Sequence, residues 1–259
     1  MEDGQHPAQH DPAQIELSGT GWTSPTGDMN TFDPAPRPST ETEWNDAGGS
    51  LDLLWLAIAF EGVLAAAAFA CGWWTGVSPL SRFAWTVPGL LAGAGCALPM
   101  YVLFLASYSA SPAPLRRIRR FLRVSLGRNL ADAPWPVPAG IALLAGVGEE
   151  LLFRGALEPL VGPWWSNVLF GLAHAVTPLY AVLAGAMGLL FSMELQATGN
   201  LLAPILTHAL YDWLAFRALI ADVRRFPVTD DELRLDPSSD GPSLNDSSTN
   251  KGQDHAPAS

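Results

Sequence analysis

A long apolar run beginning near Val137 is interrupted at residues 148–155 by GEELLFRG, which sets two adjacent acids and an arginine inside a helix of membrane length. A formal charge at the centre of such a helix costs roughly 2.5 to 3.5 kcal/mol on insertion scales. The chain must therefore fold so that these side chains meet one another or a polar cavity. At about 100° per residue, Glu150 and Arg154 are four apart and share one helix face, where the arginine pairs with that acid. Glu149 points about 100° away and is the acid left free to face something else.

The formal net charge of −11 conflicts with so apolar a chain until the charges are placed by region. Residues 1–50 hold nine acids and one arginine, residues 226–259 hold seven acids and two bases, and the stretch between them nine acids and eleven arginines. Both tails are rich in Pro, Ser, Thr, Asp and Gly, bury too little to offset ordering entropy, and are read as disordered. No basic surface exists outside one arginine cluster, which argues against nucleic acid as a partner. The N-terminus lacks the basic and apolar regions of a signal peptide, so the first span is expected to remain in the chain. Cys71 and Cys96 fall in or beside apolar runs and read as inert thiols rather than a disulfide or zinc framework.

Six apolar runs follow one another: 51–74, 84–110, 137–160, 163–176, 178–197 and 201–221. A hydrocarbon core needs about 20 residues of helix, so the expectation is an all-α, polytopic membrane bundle of about six transmembrane helices. Pro88 and Pro99 predict a kink in the second. Between the second and third lies LRRIRRFLRVSLGR, whose apolar positions recur at helical spacing and predict an amphipathic helix on an anionic leaflet. With this block on the cytoplasmic side, two helices before it and four after it leave both termini cytoplasmic. The chain divides into an acidic tail (1–50), two spans (51–112), the basic segment (113–136), a four-helix core (137–225) and a second acidic tail (226–259). Glu61, the one charge inside the first span, reads either as a packing acid or as a contact to the site.

Ionisable and aromatic groups recur at four-residue spacing in the later helices. Phe170 and His174 share a face, with Asn167 one turn further back, and His208 and Asp212 form another such pair. Each alone has a bland reading: a satisfied core histidine, a structural Glu150–Arg154 clamp, an aspartate that merely orients His208. Together they would cost on the order of 10 kcal/mol if each met lipid, so a shared wet site lined by Glu149, His174, His208 and Asp212 is expected. Neither HExxH nor a serine elbow, GxGD signature or phosphate loop occurs in the sequence. The remaining chemistry is acid, base and hydrogen-bond donor, which suits hydrolysis by activated water.

The ordered triple EExxxR (Glu149, Glu150, Arg154), FxxxH (Phe170, His174) and HxxxD (His208, Asp212) resembles the three motifs of the CPBP family, which comprises CAAX prenyl endopeptidases and bacterial bacteriocin-processing and immunity relatives. The likeness covers about residues 137–221. The last position is more often Asn in the prenyl proteases, and Asp212 is a variant of it. The resemblance implies an intramembrane endopeptidase in which Glu149 and His174 activate water and His208 with Asp212 binds the oxyanion. Glu150, Arg154, Phe170 and Asn167 shape the site. A metal-free glutamic mechanism is favoured, with no cofactor; the alternative is zinc held by Glu149, His174 and His208, since a catalytic zinc needs only three protein ligands. The implied substrate is a membrane-embedded or lipidated peptide or protein within the lipid bilayer. Thirteen arginines against one lysine is the bias of a GC-rich genome, which points to a bacterial plasma membrane. The competing readings are a non-catalytic immunity or scaffold protein, and a transporter using Glu149 and Arg154 as an ion relay.

Overall fold

The apolar runs become helices because in lipid every backbone polar group must be satisfied within its own segment. The computed structural model describes residues 40–229 and 232–233, and no strand occurs among them. Expectations for residues 1–39 and 234–259 lie outside the described residues. The helices are α1 (Thr40–Thr75), α2 (Val87–Ser109), α3 (Ala113–Leu122), α4 (Arg128–Ala131), α5 (Pro136–Glu150), α6 (Glu158–Ala173), α7 (Pro178–Thr198) and α8 (Leu202–Arg225). Wider π-helical stretches, Arg123–Gly127 and Leu151–Leu157, join α3 to α4 and α5 to α6. Helix α1 begins at Thr40, so residues 40–50, assigned to the tail from composition, are helical. Extending an existing helix is far cheaper than nucleating one, and the apolar span supplies the nucleus.

Among the described residues, four helices are long and apolar enough to cross a membrane: Leu51–Thr75, Val87–Ser109, Pro136–Ala173 and Pro178–Thr198. The third is broken at Gly162 (φ 81°, ψ 163°), followed by Pro163, and so forms two rods. Helix α8, which carries Thr207, His208, Asp212 and its terminal arginines, is less apolar but packs chiefly against α2 and α5. Pro88 sits in the first turn of α2, where its missing N–H costs nothing, and Pro99 lies in the helix interior.

Asn200 ties the ends of three helices together. Its Nδ2 donates to Ala84 O (2.9 Å) and Thr86 Oγ1 (2.8 Å), and its Oδ1 accepts from Ala84 N (3.2 Å) and Leu202 N (3.0 Å). The adjoining Gly199 takes the left-handed conformation (φ 64°) that ends α7. On this same face of the bundle stand Trp73, Trp74 and Trp85, exposed by 88%, 87% and 77%. Tryptophans so placed form the aromatic belt of a membrane interface.

The opposite face carries the arginine block. Its apolar side chains do not point outward as a free amphipathic helix would place them: Ile118 and Leu130 are buried, and Leu126 and Leu130 pack with Leu53, Leu54, Phe216 and Ile220 from α1 and α8. Arg123 Nη1 is paired with Asp222, its Nε donates to Glu232 Oε1 (3.3 Å) and its Nη2 to Phe226 O (2.6 Å). Burial works against that charge, yet the Asp222 and Glu232 carboxylates hold the guanidinium above its ordinary value.

Close helix approach in the core depends on glycines. A Cβ on Gly146 would sit 2.9 Å from Ala209 N, Ala209 Cβ and Ile205 O, whereas one on Gly95 meets nothing within 4 Å. Gly146→Ala is therefore expected to push α5 from α8 and destabilise by about 1 to 3 kcal/mol, with Gly95→Ala neutral or mildly stabilising. Thermal unfolding in detergent checks this; equal behaviour of the two variants would contradict the packing described.

Candidate active site

Three turns bring the polar groups together. Helix α5 ends at the acid pair, and Leu151–Leu157 continues as a π-helical stretch rather than the regular helix expected from sequence. Such stretches lie frequently at functional sites. Gly155 abuts the loop before α2, since a Cβ there would collide with Pro79 O. Glu149 lies thirteen residues into the bundle from Pro136, or about 20 Å of helix. His174 is the residue that caps α6 (φ −101°, ψ 17°) rather than an interior helical position, and Thr177 restarts the chain by capping α7 through Tyr180 N (3.1 Å). His208 and Asp212 stand on consecutive turns of α8.

The structure brings Glu149, His174, His208 and Asp212 into one cluster. Glu149 Oε2 lies 3.7 Å from His174 Nε2 and 3.9 Å from His208 Nε2. His208 Nε2 is 3.5 Å from Asp212 Oδ2. Glu149 is 7% exposed, and among the described residues its Oε2 has no hydrogen-bond partner. A carbonyl oxygen only accepts, so the 2.9 Å contact between His174 Nδ1 and Phe170 O fixes the proton on Nδ1 and turns the lone pair of a neutral Nε2 toward Glu149. The His174 ring stacks on Phe170 (centroids 4.6 Å apart), and His208 stacks on Phe191 (4.8 Å).

Around this cluster runs a second layer. Arg154 Nη1 donates to Glu150 Oε1 (3.1 Å), the pair expected from their spacing, and Nη2 donates to Asn167 Oδ1 (3.0 Å) and Gly188 O (2.8 Å). The guanidinium also lies over the Phe170 ring, 4.5 Å from its centroid. His208 Nδ1 lies 3.0 Å from Glu150 Oε1, a link no sequence spacing suggested. Two further groups were missed. Glu158, buried, accepts from Ser192 Oγ (2.6 Å), which in turn accepts from Asn167 Nδ2 (2.8 Å). The signal for Glu158 was present, since residues 150, 154 and 158 continue one four-residue ladder. Glu61, left open between packing and site contact, lies against the acid pair: a Cβ on Gly148 would be 2.5 Å from Glu61 Oε2, an oxygen without a hydrogen-bond partner.

The three donors named for zinc converge, but among the described residues no three His, Cys, Asp or Glu side chains are arranged to hold a metal ion. An apolar fissure of about 410 Å³ separates α6 from α7, lined by Trp164, Val168, Leu172, Val182, Ala186 and Leu189, with no member of the cluster on its wall. Asn167 also lines it, and so joins the fissure to Arg154. Cys71 and Cys96 are free and half-buried.

Comparison with known proteins adds three findings. Residues 131–214 match the family described as Rce1-like, type II CAAX prenyl endopeptidase Rce1-like. Over 75 residues the chain is 31% identical to the uncharacterized protein YpbD of Bacillus subtilis (strain 168), covering 28% of this chain and 40% of that protein. The chain thus spans less than half the length of the curated relative it matches. No solved structure matches.

Proposed function

We propose, from the premise that residues 131–214 of this integral membrane chain are Rce1-like, that it is an intramembrane endopeptidase whose site is the Glu149, His174, His208 and Asp212 cluster. One observation carries the reading: a buried carboxylate oxygen, Glu149 Oε2, without a hydrogen-bond partner and facing Nε2 of two histidines. Glu61 and Glu150 also carry a buried oxygen without a partner among the described residues, so what sets Glu149 apart is the pair of imidazole nitrogens its oxygen faces. In the proposed reaction a water hydrogen-bonds to Glu149 Oε2 and His174 Nε2, gives up a proton to this pair and attacks the peptide carbonyl carbon. The C–N bond then breaks and the proton passes to the leaving amine. His208, as imidazolium, donates through Nδ1 to Glu150 and through Nε2 to the developing oxyanion, while Asp212 Oδ2 stabilises its charge. Glu150 and Arg154 hold the geometry.

The fissure between α6 and α7 supports a membrane-anchored or lipidated substrate, because its apolar lining offers an alkyl chain or apolar side chain a groove to pack in. A bacterial plasma membrane is the setting that the arginine-over-lysine bias supports, and the arginine block supports an orientation with both chain ends at the cytoplasmic face.

The test is cleavage of a membrane-peptide library by the purified protein, comparing wild type with His174→Ala, each with and without a chelator. Wild-type cutting that survives the chelator and falls about 10²- to 10⁴-fold in the variant is the expected result. Cutting lost to the chelator and restored by zinc would move these residues to a metal mechanism. Binding without cutting by wild type would replace the protease with the immunity or scaffold reading.

A further inference from the structure

The second layer around the site is a single chain of hydrogen bonds with a direction. A guanidinium only donates, so Asn167 must present Oδ1 to Arg154 Nη2 and turn its amide nitrogen the other way. That nitrogen meets Ser192 Oγ at 2.8 Å and Pro163 O at 2.7 Å. Ser192 is then an acceptor toward Asn167, and its own proton has one destination, Glu158 Oε2 at 2.6 Å. In the other direction Arg154 Nη1 donates to Glu150 Oε1, which also takes the contact from His208 Nδ1. Each link thus admits one polarity, from Glu158 at one end to the imidazole at the other. All six side chains are buried: Glu150 and Ser192 are fully enclosed and Glu158 is 6% exposed. Helix α7 is drawn against this chain at Gly188, where a Cβ would lie 2.6 Å from Asn167 Oδ1 and 2.7 Å from Arg154 Nη2.

We propose that Glu158 and Ser192 are positioning residues for the site, acting through Asn167, Arg154 and Glu150 to fix the His208 imidazole with Nδ1 on Glu150 and Nε2 toward the reacting atoms. The inference rests on the proposed endopeptidase reading for its kinetic consequence and on the geometry alone for its structural one. Neither residue belongs to the three motifs, and neither touches the reacting groups. Glu158 is the second carboxylate to act on Arg154: Glu150 holds one branch of the guanidinium directly, and Glu158 holds the other through two neutral relays. The relay orders Asn167, and an ordered Asn167 denies Arg154 any rotation that would carry Glu150 away from His208. A connected buried hydrogen-bond network rigidifies what it encloses, here through Glu150 Oε1 and both Nη atoms of Arg154, while Glu150 Oε2 and Arg154 Nε stand outside it.

The experiment uses the full-length protein in detergent or nanodiscs with labelled histidine, and reads both the His208 Nδ1–H resonance and cleavage kinetics. Ser192→Ala should shift or broaden that resonance. It should also lower kcat about tenfold, the factor that one lost buried hydrogen bond corresponds to, with KM unchanged. Ser192→Thr keeps the hydroxyl and should restore the resonance and most of kcat. Glu158→Gln keeps the shape, loses the charge and should act in the same direction, which provides a second reading if Ser192→Ala does not fold. A His208 resonance unmoved in both Ser192→Ala and Glu158→Gln overturns the proposal even if cleavage falls, as does a Ser192→Thr no better than Ser192→Ala. Should the wild type cut nothing, the endopeptidase reading fails while the resonance still decides whether the chain positions His208.

Discussion

Glu149→Gln is expected to lower cleavage by about 10² to 10⁴-fold, the contribution typical of a general base, while leaving thermal unfolding within about 0.5 kcal/mol of wild type. The unusual half of this expectation is the second. Glu149 Oε2 has no hydrogen-bond partner, and its nearest polar atoms, Nε2 of His174 and His208, stand at 3.7 and 3.9 Å. An amide in its place therefore breaks no internal bond. It also removes a buried negative charge from beside Glu150 and Asp212. On the proposed mechanism, activity and stability separate at this residue because its carboxylate would serve the reaction rather than the fold. Parallel cleavage and unfolding measurements decide it: a variant retaining more than a tenth of wild-type cleavage would remove Glu149 from the proposed mechanism.

Arg154→Ala is the opposite case, with an expected loss of about 3 to 5 kcal/mol, the usual cost of removing one partner of a buried ion pair. Arg154 is 1% exposed and makes three hydrogen bonds, to Glu150, Asn167 and Gly188 O. Alanine leaves the fully buried Glu150 with His208 Nδ1 as its one remaining partner among the described residues and strands Asn167 Oδ1. Lysine restores the charge but offers one compact ammonium where two branches of a planar fork were used, so Arg154→Lys should recover only part. Removing both ends is expected to cost less than the sum of the single losses: the cycle of wild type, Arg154→Ala, Glu150→Gln and the double variant reports the coupling directly. Detergent unfolding of the four proteins is the measurement. A loss below about 1 kcal/mol for Arg154→Ala would mean that water reaches the pair.

What the sequence disclosed, it disclosed through spacing within one helix. Four-residue intervals revealed the Glu150–Arg154 pair, the shared face of Phe170 and His174, and the nearness of His208 to Asp212. Contacts between helices left no such mark. That His208 Nδ1 turns to Glu150, fifty-eight residues away, follows from the packing of α8 on α5, and Asp212 had been the expected partner. Ser192 is invisible for the same reason, being an ordinary serine until α7 lies against α6. The arginine block read as a free amphipathic surface because its spacing is helical. The acids that pull Arg123 inward, Asp222 and Glu232, are a hundred residues distant. Span counting by hydropathy separated the two rods at Gly162 correctly, since glycine followed by proline is a local signal.

The π-helical stretch Leu151–Leu157 was not legible, since LLFRGAL fits a regular helix equally well, and its effect is on chain length rather than chemistry. In a regular helix each residue advances the chain by 1.5 Å and about 100°, so deleting or inserting one swings everything on one side relative to the other. A wide turn holds its extra residue without that swing only while the count is kept. Between the acid pair and Glu158 the chain therefore tolerates changes of identity at half-buried places such as Leu152 and Leu157 more readily than a change of number. Relatives that share this site geometry should differ there in spelling but not in length.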